Sequence, residues 1–172
     1  PVREALARLE QEGLVHIVPR RGVYIVRKTK VEILEMVTVW AALESMAARL
    51  ICENAGNDEI ASLRKMFSTF EGDQVQAHID EYSETNIEFH QAILSLSHCD
   101  LLRDIADNLF IHMRSIRART ISDGDRADRS IIDHMHIIEA LESRDSDLAA
   151  RLVREHSLNL AAHIEKHVDY LE

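Results

Sequence analysis

Apolar positions along the chain change period twice. From Val2 to Leu14 they recur at helical spacing, with Val2, Leu6, Leu9 and Leu14 forming one stripe in PVREALARLEQEGLV. Pro1 is tolerated in a first helical turn and Gly13 is placed as a C-terminal stop. Two short β-rich runs follow, VHIVP and GVYIV, around Pro19-Arg20-Arg21-Gly22. This pattern predicts a hairpin, with Gly22 supplying backbone freedom at the turn. From Val31 the spacing is helical to the end. The first long helix is expected over Val31–Ala55, with Ile33, Leu34, Val37, Trp40, Leu43, Ala47 and Leu50 on its buried side. Gly56 ends it, and Asn57 or Asp58 is placed to cap a second helix reaching about Phe70. Glu71-Gly72-Asp73 breaks to a third helix, roughly Gln74–Ser97, and His98-Cys99-Asp100 leads to a fourth, Leu101–Arg119. After a loop at Ile121–Asp125, two further amphipathic runs meet at the polar break Ser143-Arg144-Asp145-Ser146. The expectation is a mostly α chain: one helix and a hairpin, then an antiparallel bundle of about six helices with short loops.

Composition supports an α-rich chain, with 46% hydrophobic residues but only 5 Gly and 2 Pro in 172 residues. Charge divides it. Residues 1–30 carry seven Lys/Arg against Glu4, Glu10 and Glu12, a net +4, so the rest holds −14 of the overall −10. A basic end on an acidic body implies a polyanionic partner for that end alone. Cys52 and Cys99 make no paired spacing, which favours reduced thiols and a cytoplasmic protein. No apolar run approaches the roughly 18 residues of a membrane span, and no signal peptide is visible. The chain opens without Met directly into a helical pattern, as though cut inside an element.

A helix followed by a two-stranded hairpin with a basic tip is the back half of a winged helix-turn-helix. The particular residues go further. PVREALARLEQEGLV followed by PRRGVYIV closely resembles the recognition helix and wing of GntR-family transcription regulators. The resemblance implies that Arg3 on the recognition helix, and Arg21 and Gly22 at the wing tip with Arg20 beside them, contact double-stranded operator DNA. Guanidinium groups at a helix start and a hairpin tip suit groove readout and phosphate pairing. Residues 1–28 are thus expected to be the C-terminal part of the DNA-binding domain, with Arg27-Lys28-Thr29-Lys30 as the linker, and 29–172 the helical body.

Within the body, the histidines carry the chemistry. His134 lies eleven residues before Asp145 and His156 eleven after it, so folding the last two runs back on each other brings both imidazoles to one height at about 1.5 Å per residue. Asn86 and His90, at i and i+4 in NIEFH, share a helix face. His136, two positions beyond His134, points about 200° away. His16, His78, His98, His112, His163 and His167 are assigned to surface or core. ALESMAARL, NIEFHQAIL, DHMHIIEAL and REH, in this order, resemble the FCD effector-sensing domain of the FadR branch of the GntR family, and six helices point to its VanR-like subgroup. That resemblance implies a divalent metal held by Asn86, His90, His134 and His156. Asn86 stands where the family usually has Asp, and a neutral amide leaves the ion's charge uncompensated. Imidazole ligation suits zinc, nickel or iron, with manganese also open, and a small organic acid as effector would fill the remaining positions. Trp40 stands where many relatives carry an Arg for the effector carboxylate, so either the metal holds the acid alone, or a base such as Arg114 or Arg117 contributes, or the effector is bulkier and less acidic; Trp40 itself is a core or an effector-binding residue. Glu44 matches a position often acidic in the family and receives no role.

The resulting expectation is a ligand-responsive DNA-binding regulator, in this family usually a repressor, acting as a homodimer. Two rivals remain. A metal-dependent enzyme on a helical bundle would need a general base beside the ion, and no histidine has Glu three residues before it, nor does HExxH or a Gly-rich phosphate loop occur. A dimerisation bundle with a vestigial metal site is the other.

Overall fold

The chain is described by a computed structural model at residues 1–70 and 75–169. Helix α1 spans Val2–Gln11, and strands β1 (Val15–Val18) and β2 (Gly22–Ile25) pair antiparallel with Val15 opposite Ile25. Gly13 (φ +72°) closes α1 with the paired bonds Gly13 N–H to Glu10 O and Leu14 N–H to Leu9 O. The hairpin turn places Arg20 and Gly22 at positive φ, 64° and 123°, so the left-handed conformation falls on an arginine as well as on the glycine expected from the sequence. No residue of α1 is buried, and its apolar stripe at Leu6 and Leu9 is only half covered.

The body consists of α2 (Lys30–Asn54), α3 (Asn57–Met66), a 3-10 turn at Gln76–His78, α4 (Ile79–Leu96), α5 (Asp100–Thr120), α6 (Arg126–Glu142) and α7 (Ser146–His167). Among the described residues this is the predicted bundle of six α-helices. The expected break at Glu71-Gly72-Asp73 and the start at Gln74 lie outside the described residues. Helix α2 begins with a capping box: Glu32 N–H donates to Thr29 Oγ1 at 3.2 Å, and Thr29 N–H donates to Glu32 Oε2 at 2.8 Å. Gly56, not Asn57 or Asp58, is the N-cap of α3, and Glu59 Oε2 accepts its N–H at 2.7 Å. The second helix also stops at Met66 rather than near Phe70.

Helix α2 is central and packs on α4, α5, α6 and α7 through Ile33, Val37, Trp40, Ala47, Ala48 and Ile51, all buried. The polar break at residues 143–146 turns the chain tightly. Arg144, in the left-handed region at φ 58°, is followed by the paired bonds Arg144 N–H to Leu141 O and Asp145 N–H to Ala140 O, and Asp145 then caps α7 by accepting from Leu148 N–H at 3.0 Å. The Arg144 guanidinium reaches across to α2, donating to Ile51 O and Cys52 O at 3.1 and 3.2 Å and to Asn57 Oδ1 at 2.6 Å. It therefore adds donors to the carbonyls of the last turn of α2, where helical partners run out. Together these contacts fix α6 and α7 as an antiparallel pair against α2.

Candidate metal centre

Three histidines from three helices meet inside the bundle. His90 on α4 and His134 on α6 are buried, and His156 on α7 is nearly so; their ligand atoms lie within 4.8 Å of one another. His134 Nε2 and His156 Nε2 are 3.2 Å apart, so the equal-height expectation for the hairpin pair holds. Two nitrogens each about 2.1 Å from one divalent ion are separated by roughly 3.0–3.4 Å, and the spacing fits that requirement.

The outward nitrogen of each ring meets an oxygen. His90 Nδ1 is 2.5 Å from Glu44 Oε1, His134 Nδ1 is 3.3 Å from Tyr82 Oη, and His156 Nδ1 is 3.0 Å from Asp133 Oδ2. Such partners hold rings in orientation and leave the inner nitrogens free to ligate. For His90 the protonation can be derived. Arg117 Nη1 lies 2.9 Å from His90 Nε2, and a guanidinium can only donate, so Nε2 is the acceptor. The neutral ring must then carry its proton on Nδ1 and give it to Glu44. Oε2 of the same carboxylate accepts from Trp40 Nε1 at 2.8 Å and Ser157 Oγ at 2.6 Å. The result is a closed relay, Arg117 to His90 to Glu44, bridging a buried cation and a buried anion.

Burial pushes the pKa of both His90 and His134 well below the usual histidine value, and the Arg117 charge and neighbouring imidazoles add to that. Both rings are thereby kept neutral, the form that ligates a metal. Burial raises the Glu44 carboxyl against the opposing pull of Arg117, Ser157, His156 and Trp40. Arg117 is lowered by burial and raised by Glu44.

Asn86 sits one turn before His90 on α4, buried, and its Oδ1 has no hydrogen-bond partner. An orphaned buried amide oxygen costs free energy unless something coordinates it, so this residue fits the ligand role assigned to it. Trp40 is fully buried, edge-on to His90 and beneath Arg117, whose Cζ is 5.4 Å from its ring centroid. Of the two arginines offered as replacements for the missing charge, Arg117 is inside the centre. Arg114, the other alternative, is exposed on α5. Arg3, Arg20, Arg21 and Gly22 are all exposed, on α1 and the hairpin tip. A cavity of about 390 Å³ between α6 and α7 reaches the centre at His156 and Asp133.

Three of these participants were not predicted. Glu44 had a visible signal: an acid falls on the buried stripe Val37, Trp40, Ala47, Ile51, where a carboxylate needs partners. Tyr82 lies on the same α4 face as Asn86 and His90, and Asp133 is the residue before His134.

Comparison with known proteins now gives the site a context. The family model "FCD domain" matches residues 35–159, and "Bacterial regulatory proteins, gntR family" matches residues 1–25. The chain belongs to the FCD-domain GntR family. Its relatives in that family include the Nta operon transcriptional regulator of Aminobacter aminovorans, 30% identical over 171 residues, covering 99% of this chain and 76% of that protein. The HTH-type transcriptional repressor RspR of Escherichia coli (strain K12) is 24% identical over 156 residues, 91% of this chain and 68% of that one. The structure of E. coli McbR/YncC superposes with a TM-score of 0.81 at 21% identity, covering 95% and 83% of the two chains, which establishes the shared fold. Relatives of this FCD-domain chain are transcription regulators, and its family identity points to regulation rather than catalysis. The two family matches end and begin on either side of the Thr29–Glu32 capping box, where the sequence placed the linker. Among the described residues no helix is long and apolar enough to cross a membrane.

Proposed function

We propose that the chain is the sensing body and part of the DNA-reading module of a homodimeric repressor that responds to a small organic acid at a divalent-metal centre. The observation that supports this most is the histidine cluster itself: three inner nitrogens within 4.8 Å, each ring held from outside by an oxygen. His90, His134 and His156 would hold the ion, with the Asn86 oxygen as fourth ligand. Zinc, nickel, iron and manganese all accept this donor set. When bound, the ion supplies Lewis-acid attraction for a carboxylate. The protein's own contribution is to hold three imidazoles in orientation and place Arg117 beside them. His90 Nε2 has one lone pair, so ligation by it and the Arg117 hydrogen bond exclude each other. With His90 Nε2 given to an ion, the Arg117 guanidinium would be free to pair with the acid.

Arg3 on α1, and Arg20, Arg21 and Gly22 at the hairpin tip, would contact operator DNA. In the full-length regulator Arg3→Ala is expected to lower operator affinity at least about tenfold, consistent with loss of a charged hydrogen bond. Unchanged binding would remove α1 from the DNA interface. An exposed apolar stripe on α2, Val31, Val39, Ala42 and Met46, supports a homodimer.

One observation favours a second reading, a dimerisation bundle with a vestigial metal site: the Arg117–His90–Glu44 relay is closed and neutral without an ion. Elemental analysis of untagged protein decides between the two. About one divalent ion per chain, removed by chelator along with any organic-acid thermal shift, supports the sensor. Metal-free protein from metal-replete medium would leave the vestigial reading. His134→Ala should stay folded and lose both metal and ligand response.

A further inference from the structure

Arg117 is not alone. Arg126, the first residue of α6, follows the end of α5 across the turn at Gly124 (φ 58°) and lines the cavity that reaches His156 and Asp133. Its Nη1 is buried without a hydrogen-bond partner, and so are Nε and Nη2 of Arg117. Neighbouring carboxylates are engaged by other donors: Glu44 by His90, Trp40 and Ser157, Asp133 Oδ2 by His156, and Asp123 Oδ2 by His163 at 2.9 Å. Burial and the Arg117 charge push Arg126 down to about 10, against the opposing pull of Asp123, so the two guanidiniums sit within electrostatic reach of each other. Ser130 completes the polar wall on α6, and Lys166 stands at the rim on α7.

Charge balance gives the same result. A divalent ion beside Arg117 would face one fully buried carboxylate, Glu44, so the centre favours anionic ligand groups. A monocarboxylate would satisfy one arginine. Arg117 beside the histidine centre and Arg126 in the cavity that reaches it each have unused N–H donors, which match two separated anionic groups on one ligand.

We propose that the effector is a small dianion, whose first acidic group meets the ion and Arg117 at the histidine centre and whose second is taken by Arg126 in the α6–α7 cavity. Arg126 thus sets specificity for charge number. This rests on the sensor reading above. The second group's chemistry is left to two probes, because a carboxylate and a phosphate are both read by a guanidinium fork.

The test is isothermal titration of the zinc-loaded chain with succinate, 2-phosphoglycolate and the mono-anion butyrate, for the parent, Arg126→Gln and Arg126→Lys. A dianion should bind at least about tenfold tighter than butyrate, the size of one charged hydrogen-bond pair. Arg126→Gln should abolish that preference while leaving butyrate within about twofold, and Arg126→Lys should keep part of it, since a charge remains where the fork is lost. Preference for succinate over 2-phosphoglycolate, or the reverse, identifies the second group. Equal binding of butyrate and both dianions by the parent, or an unchanged preference in Arg126→Gln, overturns the proposal and leaves the sensor reading standing. If no acid binds the zinc-loaded parent, the sensor reading falls as well.

Discussion

A carboxylate on the buried stripe of α2 decides how the centre is protonated. Glu44 takes donors from α2, α4 and α7, and Arg117 is linked to it through His90. Glu44→Gln puts an amide N–H where only donors converge, so at least one buried donor loses its acceptor. We expect a loss of about 2 kcal/mol or more in the metal-free protein, read as a lower denaturant midpoint at unchanged slope. Asp133 is the contrast. It orients His156 in the same way, yet its side chain is 36% exposed. Asp133→Asn should therefore cost little stability, within about 1 kcal/mol, while lowering metal affinity about 10–100-fold in a chelator competition. Equal effects of the two variants on stability would contradict the derived relay. Spacing paired His134 with His156 and Asn86 with His90, and the resemblance to the FCD domain joined the two pairs into one proposed ligand set. Glu44, Tyr82 and Asp133 were not legible, since a supporting role depends on which ring nitrogen faces which neighbour, and that is fixed only by tertiary packing. Arg114 and Arg117 lie three residues apart on one basic helix end, and only burial separates them.

The α6–α7 hairpin is where element geometry sets the site. Its turn holds Arg144 in the left-handed region, which is unfavourable for a residue with a Cβ, and the guanidinium offsets this by binding the end of α2 and Asn57. Two substitutions separate the contributions. Arg144→Ala keeps the strained backbone and loses three charged hydrogen bonds, for an expected cost of about 2–3 kcal/mol. Arg144→Gly loses the same bonds but relieves the strain, so it should be more stable than Arg144→Ala by about 1 kcal/mol, measured by urea unfolding. If alanine is the more stable of the two, the turn is not strained. The polar break itself was readable from sequence, as were the six helices of the body, because long amphipathic periods survive local ambiguity. The caps were less so. Asn57 looked like a helix cap and instead accepts from Arg144, while Gly56, read as a stop, starts α3. The Asn57 role depends on a loop 87 residues away in sequence that closes against it.

At the scale of the whole molecule, α5 connects the parts. Its last turn carries Arg117 into the centre, and five residues earlier His112 packs beside Gly13 at the end of α1, its ring 3.7 Å from where a Cβ there would stand. One rigid helix thus touches both the proposed effector centre and the DNA-reading module. Contact alone transmits nothing. An effector shifts the arrangement of α1 only if it binds one arrangement better, and a dimer makes that difference visible because two modules must meet one operator together. The second copy is the part of this scheme that can be tested most directly. On α2, Val39 and Met46 are 48% and 50% exposed, with exposed Ala42 between them, on the side opposite the buried Val37, Trp40 and Glu44. Glutamate at both positions would place two charges in any interface built on this stripe, while leaving the face that packs the bundle unchanged. Val39→Glu/Met46→Glu should therefore convert a dimer to a monomer in light scattering while the thermal shift from zinc is retained, since the histidine centre lies inside one chain. A variant that stays dimeric would assign the interface to another face. Loss of the zinc response together with the dimer would show that the centre needs its partner to form.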